Sequence, residues 1–219
     1  MTLPCLLIAI CLGAMAVHVF AEWRHLPRTR AISKIVASSA SVLLALALRA
    51  STSTYGLLIL AALALSWIGD VLLLSSRAAL FQAGIAAFLL AHLAFAAALA
   101  VRGLDWRAVL VGGTLMAAFG FAVLRWLWPH LTADFRIPVV AYIAAIMLMC
   151  ALAISASMAN GIWLLGVAAL IFAFSDISVA RDRFVKEDFI NRLWGLPLYF
   201  IAQILFALSV DAAQGWQRY

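Results

Sequence analysis

Apolar residues run through this chain in blocks of about twenty, separated by short polar breaks, which is the length needed to cross a bilayer as a helix. The blocks predict helices near residues 3–21, 31–49, 55–75, 80–101, 107–127, 137–157, 161–180 and 190–210. The breaks, at 22–30, 49–54, 75–79, 102–106, 128–136, 159–161 and 181–191, are too short to hold a folded domain. The expected architecture is all-α: a polytopic transmembrane bundle of about eight helices, one integral membrane domain over residues 1–219. An even number of spans puts both termini on one side. Met1-Thr2-Leu3-Pro4 carries no Lys or Arg ahead of a long apolar run, so the first block is expected to stay as a helix instead of being cleaved as a signal peptide.

Composition agrees with the pattern. Hydrophobic residues make up 68% and charged residues 11% of the chain, too little polar surface to keep a water-soluble domain dispersed. The net charge of +6 sits in the connections, not on one face with interleaved aromatics, so it speaks for membrane orientation and against nucleic acid. Arg24, Arg28, Arg30, Arg77, Arg125, Arg136, Arg181, Arg183, Lys186 and Arg192 fall in the odd-numbered connections, against Arg49, Arg102, Arg107 and Arg218 on the other side. The positive-inside rule then makes the odd connections cytoplasmic, with both termini outside, and the expected location is a bacterial inner membrane. Trp23, Trp106, Trp126, Trp128, Trp163, Trp194 and Trp216 lie near span ends and read as an interfacial belt. Cys5, Cys11 and Cys150 lack the paired spacing of a metal or redox motif and read as packing residues.

The chemistry lies in the residues that oppose the pattern. An ionised carboxylate near the centre of a span costs about 2.5 to 3.5 kcal/mol on insertion scales and is functional by default. Asp70 and Asp176 each follow a long apolar run and are too short to reach the interface. Measured from the cytoplasmic end of each span, Lys34, Tyr142 and, deeper, His92 and Tyr199 fall in the same half, and could line one pocket with the two acids. Tyr199 and Gln203 lie one turn apart on one face, placed to orient a substrate or to satisfy a carboxylate. Blander readings stand beside these. The acids could form structural ion pairs with Lys34 or a loop arginine. Lys34 alone reads as an interfacial lysine, and His92 as a packing residue between helices. Gly112-Gly113, Gly120 and the Ser38-Ser39-Ser41 cluster read as close-packing surfaces.

His18 and His92 are the two histidines within spans, too few for a His-rich zinc site, and no phosphate loop, serine elbow or HExxH occurs. No metal and no cofactor is called for; acid and base chemistry by carboxylates remains. Asp70 lies in the third helix and Asp176 in the third helix of the second four, with Arg77 and Arg183 following at the same spacing, which suggests two parallel four-helix repeats. A proton-coupled transporter using the two acids as a relay is the alternative from a different class. An intramembrane aspartyl protease is a third: Ile68-Gly69-Asp70 resembles part of its Gly-x-Gly-Asp element, but Trp67 replaces the first glycine and no Pro-Ala-Leu element follows.

The ordered set Leu65-Ser66-Trp67-Ile68-Gly69-Asp70-Val71-Leu72-Leu73, Gly84 to Phe88 with His92, Phe174-Ser175-Asp176 with Ala180 and Phe184, and Tyr199 with Ala202-Gln203 resembles the YhhN-like lysoplasmalogenase family over nearly the full length. Two positions depart from it: Ile35 follows Lys34 where the family usually has proline, and Phe95 stands where a tyrosine is expected. The resemblance implies hydrolysis of the vinyl-ether bond of a lysoplasmalogen to a fatty aldehyde and glycerophosphoethanolamine or glycerophosphocholine. The buried residues suit that chemistry: Asp70 and Asp176 are the expected catalytic pair, with Lys34, His92, Tyr142, Ser175, Tyr199 and Gln203 expected in support. The partners implied are a lysophospholipid substrate and membrane lipids; the sequence does not specify an oligomeric state. Burial and a neighbouring charge are expected to keep one acid protonated while the other stays ionised, with the roles of the two left open.

Overall fold

A computed structural model describes residues 2–75 and 77–215; Trp216 and Arg218, counted above in the belt and the charge balance, lie outside the described residues. Among the described residues, eight helices are long and apolar enough to span a membrane: α1 (Leu3–Trp23), α2 (Pro27–Ala47), α3 (Thr54–Leu72), α4 (Ala78–Val101), α5 (Trp106–Leu127), α6 (Ala133–Asn160), α7 (Trp163–Ala180) and α8 (Phe189–Gly215). No strand occurs among the described residues.

The expected spans match these helices, and the differences at their ends have local causes. Helix α2 begins at Pro27, four residues before the apolar block, because proline at the first helical position loses nothing by lacking an N–H. Helix α6 likewise begins ahead of its block, in a turn that contains Asp134 and Arg136. Side-chain hydroxyl and carboxylate caps close two entrances: Ser53 accepts from the Gly56 N–H, and Asp105 from the Arg107 and Ala108 N–H groups. After α7 the chain continues as a π-helical turn, Arg181–Val185, which hydropathy gave no reason to expect.

Neighbours repeat with a shift of four helices. Helix α1 packs on α2 and α5 on α6; α2 packs on α3 and α6 on α7; α3 packs on α4 and α7 on α8. The circle closes in the same way in both halves, α4 against α6 and α8 against α2. The halves differ at their first helix, for α1 also packs on α8 while α5 rests chiefly on α6. The shared core is aromatic and aliphatic, with Phe95, Phe172, Phe200, Phe206, Leu44 and Met149 fully buried. Phe95, the departure from the family pattern, stacks on Phe206 with ring centroids 4.1 Å apart, an apolar setting in which a phenol would need a partner.

Glycines set the closest approaches. A Cβ on Gly195 of α8 would lie 1.7 Å from Ser178 Oγ on α7, and one on Gly69 of α3 would lie 2.6 Å from the Phe88 ring on α4. These contacts hold α3 to α4 and α7 to α8, the two pairs that carry the acids. Trp23, Trp106, Trp128 and Trp163 are exposed near helix ends, as a belt requires.

Candidate functional site

Asp70, two residues before the end of α3, is surrounded by donors. Lys34 Nζ lies 3.1 Å from Oδ1, and the Ser38 hydroxyl donates to Oδ2 from one turn further along α2. The Tyr199 hydroxyl of α8 donates to the same Oδ2 at 2.7 Å. The i, i+4 spacing of Lys34 and Ser38 puts both on one helix face, so a single acid can receive both. An ammonium and two hydroxyls form the set that a carboxylate satisfies as an acceptor.

Asp176 on α7 has different company. Tyr142 of α6 donates to Oδ1 at 3.3 Å, and His92 Nε2 of α4 lies 3.2 Å from Oδ2. That approach is close but outside hydrogen-bond alignment, and neither atom has another partner. The other ring nitrogen, Nδ1, lies 2.7 Å from the Phe88 carbonyl oxygen one turn back. A carbonyl can only accept, so Nδ1 carries the proton. That leaves Nε2 as the ring nitrogen turned toward the Asp176 carboxylate.

The two clusters are joined by rings. His92 meets Tyr142 at 5.2 Å and Phe172 at 4.8 Å between centroids, and Phe172 meets Tyr199 at 5.5 Å. The arrangement follows the helix repeat: Asp70 on α3 is served from α2 and α8, and Asp176 on α7 from α6 and α4. Each pair of partners maps onto the other when the helix numbers shift by four. The chemistry of the halves differs. The Asp70 side chain is 2% exposed and that of Asp176 is 12% exposed.

Among the predicted site residues, Asp70, Asp176, Lys34, His92, Tyr142 and Tyr199 are thus brought together. Lys34 points inward to its acid instead of to the interface. Gln203 is buried one turn beyond Tyr199, and its Nε2 has no partner. Ser175, although next to Asp176, donates to the Phe172 carbonyl at 2.8 Å and contacts neither acid. Ser38 went unrecognised as a site residue; its position one turn from Lys34 was the available signal. Its neighbours do pack, as expected, with Trp67 Nε1 donating to Ser39 and Ser41 meeting Cys11. Among the described residues no group of three His, Cys, Asp or Glu is placed to hold a metal ion.

Toward the end of the bundle nearer the acids, Arg192 of α8 ties separate connections together. It bonds Glu22 at 3.1 Å, Asp182 at 3.1 Å and Glu187 at 2.6 Å, while Arg30 approaches Glu22 at 3.8 Å. His18, buried below, links α1 to α2 through the Arg30 carbonyl and Ser33. Outside the spans, Asp188 accepts from the Ile190 N–H and pairs with Lys186, and these contacts hold its carboxyl below the ordinary value of 3.8.

Fold and site together define a polytopic helical membrane protein with a two-carboxylate centre inside the span. The sequence model of the YhhN family matches residues 29–210, and the chain belongs to that family. It is 31% identical over 153 residues to lysoplasmalogenase TMEM86A of Bos taurus, covering 67% of this chain and 62% of the relative. It is 36% identical over 132 residues to a lysoplasmalogenase of Mycobacterium bovis, covering 57% of this chain and 49% of the relative. Lysoplasmalogenase TMEM86A of Homo sapiens is 29% identical over 164 residues, with 72% and 67% covered. The match therefore spans about three fifths of the cattle protein and half of the mycobacterial one. No solved structure matches the chain significantly.

Proposed function

We propose that this protein hydrolyses the vinyl-ether bond of a lysoplasmalogen, and that its two acids divide the work. The observation that carries the reading is the 3.2 Å approach of His92 Nε2 to the Asp176 carboxylate, within the span and beside a second carboxylate surrounded by donors. The names of the relatives support the substrate class.

A vinyl ether breaks after proton transfer to the alkene carbon remote from oxygen. In this mechanism the Asp176–His92 pair carries one proton and gives it up there, the carbon–carbon π bond supplies the electron pair, and an oxocarbenium ion forms at the carbon bonded to oxygen. Asp70, fixed by Lys34, Ser38 and Tyr199, faces this cation as a carboxylate. Water then adds to the cationic carbon and returns a proton to the Asp176–His92 pair, now acting as base. Collapse of the hemiacetal breaks the carbon–oxygen bond, moving the hydroxyl proton to the departing glycerol oxygen and releasing the fatty aldehyde. One water is consumed and the pair ends as it began. The unpartnered Gln203 amide is available to a substrate or water oxygen. By the positive-inside rule the site opens toward the cytoplasmic half of the membrane.

The test is turnover in detergent micelles, with lysoplasmalogen beside its saturated alkyl-ether analogue. Aldehyde from the vinyl ether alone is the expected result. No aldehyde from folded protein, with proton-coupled uptake in sealed vesicles, would replace this reading by the transporter.

A further inference from the structure

At the end of the bundle carrying the odd-numbered connections, Lys34, Arg30 and Arg192 each face a carboxylate around α1, α2 and α8, while Arg24 rests over the Trp23 ring. On the opposite side, around the end of α5 and the start of α6, Arg125 and Arg136 have no carboxylate partner among the described residues. Arg136 instead rests over the Trp128 ring, 4.9 Å from its centroid. Asp134, in the first turn of α6, is the nearest acid in the chain and makes no ion pair.

Beside Arg125 lies an open groove of about 450 Å³ lined by Phe121, Leu124, Arg125, Trp128 and Pro129, with Arg136 adjoining it through its contact on Trp128. Arg125 stands two residues from the end of α5, next to Leu124 and about one turn from Phe121. The groove therefore joins a cationic and aromatic side, Arg125 and Trp128, to an apolar one, Leu124 and Phe121, where Phe121 is 67% exposed. Leu127, next to Trp128 in the chain, belongs to a small core with Leu131 and Val139 that packs Phe184 and Val185 of the π-helical turn after Asp176.

We propose that this groove binds an anionic membrane phospholipid, its phosphodiester between Arg125 and Arg136 and an acyl chain across Phe121 and Leu124. Uncompensated guanidinium groups at a bilayer surface draw anionic headgroups, and a free phosphate would leave the apolar side unused. The lipid would brace the π-helical turn without entering the reaction. The site is separate from the two-carboxylate centre and independent of the activity proposed for it.

The experiment titrates the full chain, purified in mild detergent, with phosphatidylglycerol, phosphatidylcholine and glycerol 3-phosphate, reading bound lipid by native mass spectrometry. The expected result is preferential retention of phosphatidylglycerol, weakened about five-fold by Arg125→Gln or Arg136→Gln and about twenty-five-fold by both. Equal retention of the two lipids by wild type would overturn the proposal, as would unchanged binding by the double variant. Displacement by glycerol 3-phosphate at concentrations matching the lipid would overturn it too, because it would assign the site to phosphate alone.

Discussion

At the scale of single residues, one backbone carbonyl decides how His92 can act. By accepting the Nδ1–H hydrogen bond, the Phe88 carbonyl leaves Nε2 facing Asp176, the placement that the proposed proton transfer needs. Replacing His92 by Asn is expected to lower turnover about 10²- to 10⁴-fold, the range for a lost general acid or base, without a matching fall in melting temperature. Ser38→Ala removes one of three donors to Asp70 and is expected to cost only about ten-fold. Steady-state turnover checks both, and a larger loss in Ser38→Ala than in His92→Asn would reverse the assignment. The charged and phenolic members of the site were legible in the sequence because the bilayer makes such residues conspicuous. Ser38 and Phe172 were not, since serine and phenylalanine are ordinary in apolar helices. Ser175 was misplaced for a related reason: a helical serine can satisfy itself on its own backbone, here at Phe172.

At the scale of helices, the spans followed from apolar run length, and their ends did not, because a polar first turn such as Pro27 to Arg30 carries no hydropathic signal. The π-helical turn at Arg181–Val185 has no sequence signature of its own. Helix contacts were legible only as small residues; the structure shows which ones matter. Gly195→Ala would drive a methyl into Ser178 and is expected to destabilise by about 1 to 3 kcal/mol, with Ser178→Gly restoring the melting temperature. At the entrance to α8, Asp188→Ala should lower the melting temperature slightly at neutral pH. The native carboxyl lies below its ordinary value of 3.8, chiefly through the Ile190 N–H and then Lys186. Its contribution is therefore present above that value and is lost as pH falls through the folded one. Melting curves of the two proteins should converge in acid; a gap that persists well below pH 3.8 would contradict this.

At the scale of the molecule, the four-helix shift explains why two acids far apart in sequence acquire comparable neighbours. The first halves of the pattern, Asp70 with Arg77 and Asp176 with Arg183, were visible as spacing. That α8 closes on α2 as α4 closes on α6 was not, because it is a property of packing. A repeat that serves one acid with Lys34, Ser38 and Tyr199 and the other with His92 and Tyr142 has kept its geometry and separated its chemistry. The proposed division of labour rests on that separation. Its most direct test is aldehyde release from lysoplasmalogen by purified wild type, Asp70→Asn and Asp176→Asn, each confirmed as folded by its melting curve. Wild type is expected to release aldehyde, and each variant to lose that release by about 10²-fold or more. Release at the wild-type rate in either variant would contradict that division of labour.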